Sequence, residues 1–517
     1  MNVSSYISLE KSKTGIDVPI FTNGTPSCSL YNPEREADLF ANLPEFSNGY
    51  YFVIGGYASG LHIKKLREKY KNAYICILED TLATIQFCKE NNLLDFITKD
   101  QRSVICNIAS LEKTLIETYF PPIHGNFIFK ALRSWEQFHI DKSVDIKIKI
   151  EGALKKISAD ISVQAHFGKL WHRNILLNLK LSSLSDFKSL NFDKTIFPTH
   201  KKAVVCGAGP GLDYSFKELL TNRDNYYIVA TDTSYPVLLQ KHIISDAVVT
   251  TDAQNVSIYH FITGISKRTL FVSDLSASPS IARIAYKQQC TILFYDGGHP
   301  LSKFANNYNL SNNDLHRRFP FFSAGAGSVT LVCLDFIFKS GFTNYGVIGA
   351  DFSYINDKTY TNGTYLDILF LKQSYKLNSL EHQYNKLMFR TPLKKESVIV
   401  KTLLGTKKSN GKTTETLMNY RMSLDTIILK NNNKLKHIDN DHSTEFIPFL
   451  TALPFNFTLF KISLYNVLNN INLNNTFDID SILYPYMAYY AKYNNTIDFR
   501  QKITDIINKT KLLCEEN

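Results

Sequence analysis

The stretch Ala203-Val-Val-Cys-Gly-Ala-Gly-Pro-Gly-Leu-Asp213 decides the fold. A short apolar run enters a glycine turn, and the turn leads into a helical segment. Two further runs, Val229-Ala-Thr-Asp-Thr233 and Val248-Val-Thr-Thr-Asp252, end in the same way. Apolar runs of four or five residues that finish in Gly, Thr or Asp read as buried parallel strands. They bring small and acidic residues to one edge of a sheet, where α/β proteins bind ligands.

Outward from this stretch, strand-like runs recur at Tyr226 to Ala230, Ala247 to Thr251, Thr269 to Ser273, Thr291 to Tyr295 and Asn344 to Ile348. Helical segments separate them, among them Tyr214 to Leu220, Ser280 to Lys287 and Val329 to Lys339. Strands alternating with helices predict a central, doubly wound, mainly parallel sheet over residues 201–430. Nearer the start, the strand Tyr51 to Ile54, the turn Gly55-Gly-Tyr-Ala-Ser-Gly60, the helix Leu61 to Tyr70 and the strand Ala73 to Leu78 precede Glu79-Asp80. A glycine turn with an acid some twenty residues later outlines a nucleotide-binding βαβ unit. The glycines do not keep the G-x-G-x-x-G register, so a structural Rossmann-like domain is the reading for residues 1–149. Residues 150–200 are expected as a helical linker, with Trp171, Asn174 and Asn178 on one helix face. Residues 431–517, rich in Asn, Leu, Ile and Tyr, are expected as a helical C-terminal domain with helices near Leu459 to Asn469, Ile479 to Tyr493 and Ile497 to Leu513.

Composition limits what else the chain does. Its 517 residues exceed what one hydrophobic core holds, so several domains are expected. A formal charge of +11 suits an anionic ligand, but much of the excess is Lys in Lys/Asn-rich segments such as Leu429 to His437, which read as solvated faces. No nucleic-acid partner is called on this basis. The chain shows no cationic, apolar leader, and its most apolar late segment, Phe446 to Tyr465, is broken by Pro448, Pro454, Asn456 and Lys461. No membrane span and a cytoplasmic location are therefore expected. The eight cysteines form no C-x-x-C pair and read as reduced core thiols, neither disulfides nor zinc ligands.

Three constellations carry candidate chemistry. In Gly207-Ala-Gly-Pro-Gly211 the glycines let backbone approach a ligand phosphate, and N–H groups at the following helix start favour negative charge. The turn is not a Walker A loop, since no Gly-Lys-Ser/Thr closes it. Phe322-Ser-Ala-Gly-Ala-Gly-Ser328 precedes an apolar helix, so Ser323, Gly325, Gly327 and Ser328 form a second anion-tolerant turn, with Ser328 also readable as an N-cap. The strand ending in Gly349-Ala-Asp-Phe-Ser-Tyr354 places Asp351 to bond a ligand, stabilise positive charge or cap its own loop. His299 and His382 are candidate general bases because imidazole titrates near neutrality.

In this order the three pieces resemble the motility-associated factor (Maf) flagellin glycosyltransferases, a DUF115/MptE-like family with a sialyltransferase-like core. The likeness rests on Gly207-Ala-Gly-Pro-Gly-Leu212, Ser323 to Ser328 and Gly349-Ala-Asp-Phe352. It is extended by Trp171, Asn174 and Asn178 in the linker helix, by the unit from Gly55 to Glu79, and by Gly411-Lys-Thr-Thr-Glu-Thr-Leu417 before a closing helix. It covers roughly Tyr50 to Lys430. Ala208 stands where related sialyltransferases have Asn, and Gly211 where they have Ser, so the turn would hold its ligand through backbone.

The resemblance implies a nonulosonic acid transferred from a CMP-activated donor to Ser or Thr of flagellin. Gly207, Ala208, Gly209, Pro210 and Gly211 would hold CMP. Asp232, Thr233 and Asp252 would contact ribose or sugar hydroxyls, and Ser323, Gly325, Gly327 and Ser328 a phosphate or carboxylate. Asp351, His382 and Asp252 are the catalytic candidates. No cofactor is required, and Asp232, Asp252 and Asp351 are the carboxylates that could together recruit Mg²⁺. Two other readings stand beside this one: a pterin-alcohol pyrophosphokinase using ATP and Mg²⁺, and a non-catalytic module that binds flagellin.

Overall fold

The computed structural model describes residues 3–48, 50–190, 192–308, 319–323, 327–435, 451–452, 454–471, 480–493 and 499–516. They divide into two units: Met1–Gly168 with Ile471–Asp480 and Tyr484–Ile506, and Lys169–Asn470 with Ser481–Leu483 and Ile507–Asn517. The residues after 430, expected as one helical domain, are thus shared between both units. The linker helix begins earlier than its sequence suggests and runs over Ser143–Leu181, contributing residues to each unit.

In the first unit, β1 (Tyr6–Lys11) and β2 (Asp17–Phe21) form an antiparallel pair. Strands β3 (Tyr51–Gly55), β4 (Tyr74–Glu79), β5 (Ser103–Asn107) and β6 (Phe127–Ala131) form a parallel sheet in the order β5-β4-β3-β6. Every residue of β3 is buried, which is why its sequence is a continuous apolar run with no alternation. The nucleotide-like outline is closed from within. A Cβ on Gly56 would stand 2.7 Å from Trp135 Cγ, so the indole covers the glycine turn. Glu79, fully buried, accepts from Tyr57 N–H at 2.6 Å, Trp135 Nε1 at 2.9 Å and Tyr6 Oη at 3.1 Å. Its carboxyl, pushed up to about 7 by burial, serves the unit's own donors in the place where a ribose would otherwise sit.

The second unit holds β7 (Ser189–Leu190), β8 (Lys202–Cys206), β9 (Tyr226–Thr231), β10 (Ala247–Thr250), β11 (Leu270–Asp274), β12 (Ile292–Tyr295) and β13 (Tyr345–Ile348). A smaller sheet contains β14 (Tyr354–Ile355), β15 (Lys394–Thr402) and β16 (Gly405–Thr413), and β17 (Thr451–Ala452) rejoins the large one. The large sheet runs β13-β8-β9-β10-β11-β12-β7-β17, parallel except for β17. Alternate residues Ala203, Val205, Val229, Val249 and Val272 share one core with Leu331, Cys333 and Phe336 of the helix Val329–Lys339. This order is what positions the site. From β8 the chain moves strand by strand to one side, and β13 returns on the other, so the β8/β13 boundary is a topological switch point.

The predicted helix Tyr214 to Leu220 differs in detail. The turn first tightens into a 3₁₀ segment, Pro210–Ser215, and only Phe216–Thr221 is α-helical. The linker helix pins loops of the same unit. Asn174 Nδ2 donates to the carbonyls of Ala253 and Ser276 at 3.0 Å each, and Asn178 Nδ2 to those of Leu275 and Ala277 at 2.9 Å each. All eight cysteines are free and buried. Among the described residues, no helix is long and apolar enough to cross a membrane.

Candidate functional site

At the switch point the turns after β8 and β13 press against each other. Gly207 N–H donates to Ile348 O at 2.9 Å, Gly209 N–H to Gly349 O at 2.7 Å, and Gly211 N–H to Asp351 Oδ2 at 2.7 Å. A Cβ on Gly207 or Gly209 would collide with backbone or carboxylate of Gly349 or Asp351, and one on Gly211 with Asp351 and, at 2.6 Å, Val400. The glycines are therefore needed for close approach of the neighbouring turn. This corrects the expectation of an open backbone cradle, because three of the turn's donors are already bonded within the protein. Among the described residues, Ala208 N–H is the turn's donor without a protein partner.

Beside these turns lies a cleft of about 340 Å³. Its floor is Ala208 and Gly209, with Thr231, Asp232 and Thr233 from the end of β9. Gly327, Ser328, Val329 and Thr330 bring the start of the helix Val329–Lys339, and the segment from Gly349 to Tyr354 brings the end of β13. Thr359, Tyr360 and Tyr420 add further polar groups, and Leu387 and Leu417 apolar ones. Among these lining residues there is no Lys, Arg or His.

The structure thus brings together Ala208, Gly209, Asp232, Thr233, Gly327, Ser328 and Asp351 from the sequence candidates. Gly207, Pro210 and Gly211 stand behind them as the buttressed part of the turn. Asp232 is buried; its Oδ1 accepts from Thr233 N–H at 2.7 Å and its Oδ2 from Thr250 Oγ1 at 3.0 Å. Ser328 occupies the N-cap position but its hydroxyl makes no capping bond, leaving it for the cleft. Asp252 does not line the cleft; it is half-buried, accepts from Gln254 N–H at 2.9 Å, and is raised by burial and by Asp232. Ser323 is exposed and donates its N–H to Asp335 at 2.8 Å, and Gly325 lies outside the described residues. His382 is exposed on the helix Leu380–Met388, away from the lining. His299 is half-buried, and its Nδ1 accepts from Leu301 N–H at 3.1 Å as an N-cap, with desolvation lowering its pKa to about 3.

Asp351 is the central ionisable group. It is 7% exposed, and burial raises its pKa to about 6, while the Gly211 N–H and the Arg421 charge oppose that rise. Arg421 was not singled out by sequence reasoning. Its Nη2 donates to the carbonyls of Asp351 at 3.2 Å and Phe352 at 3.0 Å, and its guanidinium grips Glu396 at 2.7 and 2.8 Å. Phe352 sits at φ 48°, a left-handed conformation that a bulky side chain rarely adopts. Arg421 thus clamps a turn that local preference alone would not hold. Thr359, Tyr360 and Tyr420 were also missed, since no short motif gathers them, and Tyr354, at the end of the run that holds Asp351, had no role assigned. Among the described residues, no group of three His, Cys, Asp or Glu side chains is arranged to hold a metal ion.

Residues 171–357 match the family model described as 6-hydroxymethylpterin diphosphokinase MptE-like. An uncharacterized protein of Treponema pallidum (strain Nichols) is 36% identical over 149 residues, which are 29% of this chain and 69% of that protein. A second uncharacterized protein of the same organism is 30% identical over 138 residues, covering 27% of this chain and 46% of the relative. The solved structure of the MAf glycosyltransferase from Magnetospirillum magneticum AMB-1 superposes with a TM-score of 0.54 at 12% identity, covering 99% of this chain and 92% of that one, and so shares the fold. On the match across most of the first relative's length, the chain belongs to the family of that Treponema pallidum protein, and it carries an MptE-like domain within its second unit.

Proposed function

We propose that the cleft is the donor site of a glycosyltransferase that moves a nonulosonic acid, of sialic, pseudaminic or legionaminic type, from a CMP-activated sugar to a Ser or Thr hydroxyl of flagellin, supporting flagellar assembly and motility. The observation that carries this reading is the chemistry of the lining: hydroxyls of Thr231, Thr233, Ser328, Thr330, Ser353 and Thr359, phenols of Tyr354, Tyr360 and Tyr420, and no cationic side chain among the described residues. Neutral donors suit one phosphodiester and a polyhydroxylated sugar better than the dense charge of a triphosphate. The fold shared with a solved MAf glycosyltransferase supports the same reading.

In the reaction the bond between the anomeric carbon and the phosphate oxygen breaks, and positive charge grows on the sugar. Hydroxyl and phenol donors hold the departing phosphate, and the Asp351 carboxylate faces the developing charge. The acceptor oxygen then bonds to the anomeric carbon and gives up its proton. Asp351, with its pKa raised to about 6, is a stronger base than an ordinary carboxylate and is our candidate for that proton. His382 and Asp252, outside the lining, would have to act after movement of the chain around them.

The second reading, a pterin-alcohol pyrophosphokinase, is favoured by the description of the matched family model. It requires ATP with Mg²⁺, which binds through one or two carboxylates together with phosphate oxygens, and Asp232 would be the residue to supply one. Intact mass of flagellin from a strain carrying Asp351→Asn tests the first reading. The expected result is loss of the sugar mass carried by flagellin of the parent strain; an unchanged mass would contradict an obligatory transfer role and favour either the kinase or a binding module.

A further inference from the structure

A second cavity of about 300 Å³ also meets the Gly349 to Asp351 turn. Two free strand edges meet it. Among the described residues, β13 ends the eight-stranded sheet, β15 ends the three-stranded one, and no ladder joins them. Val347 of β13, Ser397, Ile399 and Lys401 of β15, and Arg421 and Asp425 line the space. Gly349, Ala350 and Asp351 line both this cavity and the first cleft. The turn that carries the candidate base is therefore the common wall of two compartments.

The chain that carries β15 is strongly basic. Between Lys358 and Lys412 the chain has eleven Lys and Arg against three Asp and Glu, so this span accounts for most of the net charge of +11. On β15, Lys394, Lys395 and Lys401 are exposed, and among the described residues none of the three is in an ion pair. Ile399 is 61% exposed beside them. A strand edge whose exposed residues include Lys395, Ser397, Ile399 and Lys401 fits an extended chain that supplies backbone groups and opposite charge.

We propose that this cavity is the entry groove for the acceptor polypeptide. An extended acidic segment pairs its backbone with the free edge of β15 and sets a hydroxyl side chain against the Gly349 to Asp351 turn. The role of that hydroxyl rests on the glycosyltransferase reading; the groove's preference for an acidic extended peptide does not. Lysines on an edge strand also discourage aggregation, and that role alone would give no preference between peptides.

The test uses the full chain and labelled peptides of alternating Thr and Glu or alternating Thr and Lys, with binding followed by fluorescence anisotropy. The Thr/Glu peptide is expected to bind about tenfold or more tightly than the Thr/Lys peptide, and Lys401→Glu and Ser397→Trp each to weaken it about tenfold. Amide hydrogen exchange over residues 394–402 should slow when the Thr/Glu peptide is added, while CMP affinity in both variants stays within about twofold. Equal binding of the two peptides, insensitivity to both substitutions, or unprotected amides in β15 would overturn the groove. Absence of CMP binding with the peptide results intact would overturn the donor reading and leave the groove standing.

Discussion

A methyl group on Gly211 would collide with the Asp351 carboxylate and meet Val400 Cγ1 at 2.6 Å. Gly211→Ala is therefore expected to cost about 1–3 kcal/mol by overpacking and, by displacing Asp351, to weaken donor binding as well. Urea unfolding and CMP calorimetry on the same variant check this; wild-type stability would show that the two turns are not in register. Arg421 invites the complementary test. Half-buried and bonded to Glu396 and to two turn carbonyls, it is worth more than an exposed pair and less than a fully buried one. Arg421→Met should cost about 1–3 kcal/mol, measurable by urea unfolding, with Arg421→Lys recovering only part because the planar fork is lost. The two residues also show what was legible. Gly211 announced itself through a strand-turn-helix pattern, although the sequence suggested a ligand where the structure has Asp351. Arg421 carried no signal, since its partners lie at Asp351, Phe352 and Glu396, distant in sequence.

Among elements, the linker helix shows how a weak sequence signal gains content. The face shared by Asn174 and Asn178 was readable from their spacing, but the four carbonyls they bond, on the loops after β10 and β11, were not. Asn178→Leu leaves the carbonyls of Leu275 and Ala277 without these donors and should destabilise the second unit by about 1–3 kcal/mol, read from urea unfolding; a neutral result would mean that water replaces the amide. The large sheet was legible strand by strand because buried parallel strands are uninterrupted apolar runs. The hairpin of β15 and β16 was not, for a physical reason. Of its eighteen paired residues only Val398, Val400 and Thr413 are buried, so lysine and threonine dominate its sequence and no period of two stands out. The first unit was legible as a βαβ outline, yet only the packing shows Trp135 covering the glycine turn that a nucleotide would need.

For the whole molecule, the balance of buried titratable groups differs between the units. In the first, burial lowers His62, His124 and His139 to about 4, against one carboxyl, Glu79, raised to about 7. Those histidines are neutral in the fold but take up protons when unfolded below about 6.5, so their contribution to stability is lost as pH falls from there towards 4. Glu79 acts in the opposite sense, since the fold keeps a proton that the unfolded chain releases, and one group does not offset three. In the second unit His172 and His299, lowered to about 4 and 3, are opposed by Asp274 and Asp351, raised to about 7 and 6. The first unit should therefore be the acid-sensitive one. Its Trp135 reports it directly in a Trp171→Phe background: the urea midpoint followed by fluorescence should fall between pH 7 and pH 5, and a constant or rising midpoint would contradict the assignment.

The nucleotide that the cleft receives separates the two enzymatic readings. A calorimetric titration of the full chain with CMP, and separately with ATP in the presence and absence of Mg²⁺, tests this most directly. Saturable CMP binding that does not need Mg²⁺ is expected, and Gly209→Val should abolish it, because a side chain there would occupy the space of Asp351 and Gly349. Mg²⁺-dependent ATP binding with no response to CMP would contradict the donor-site reading.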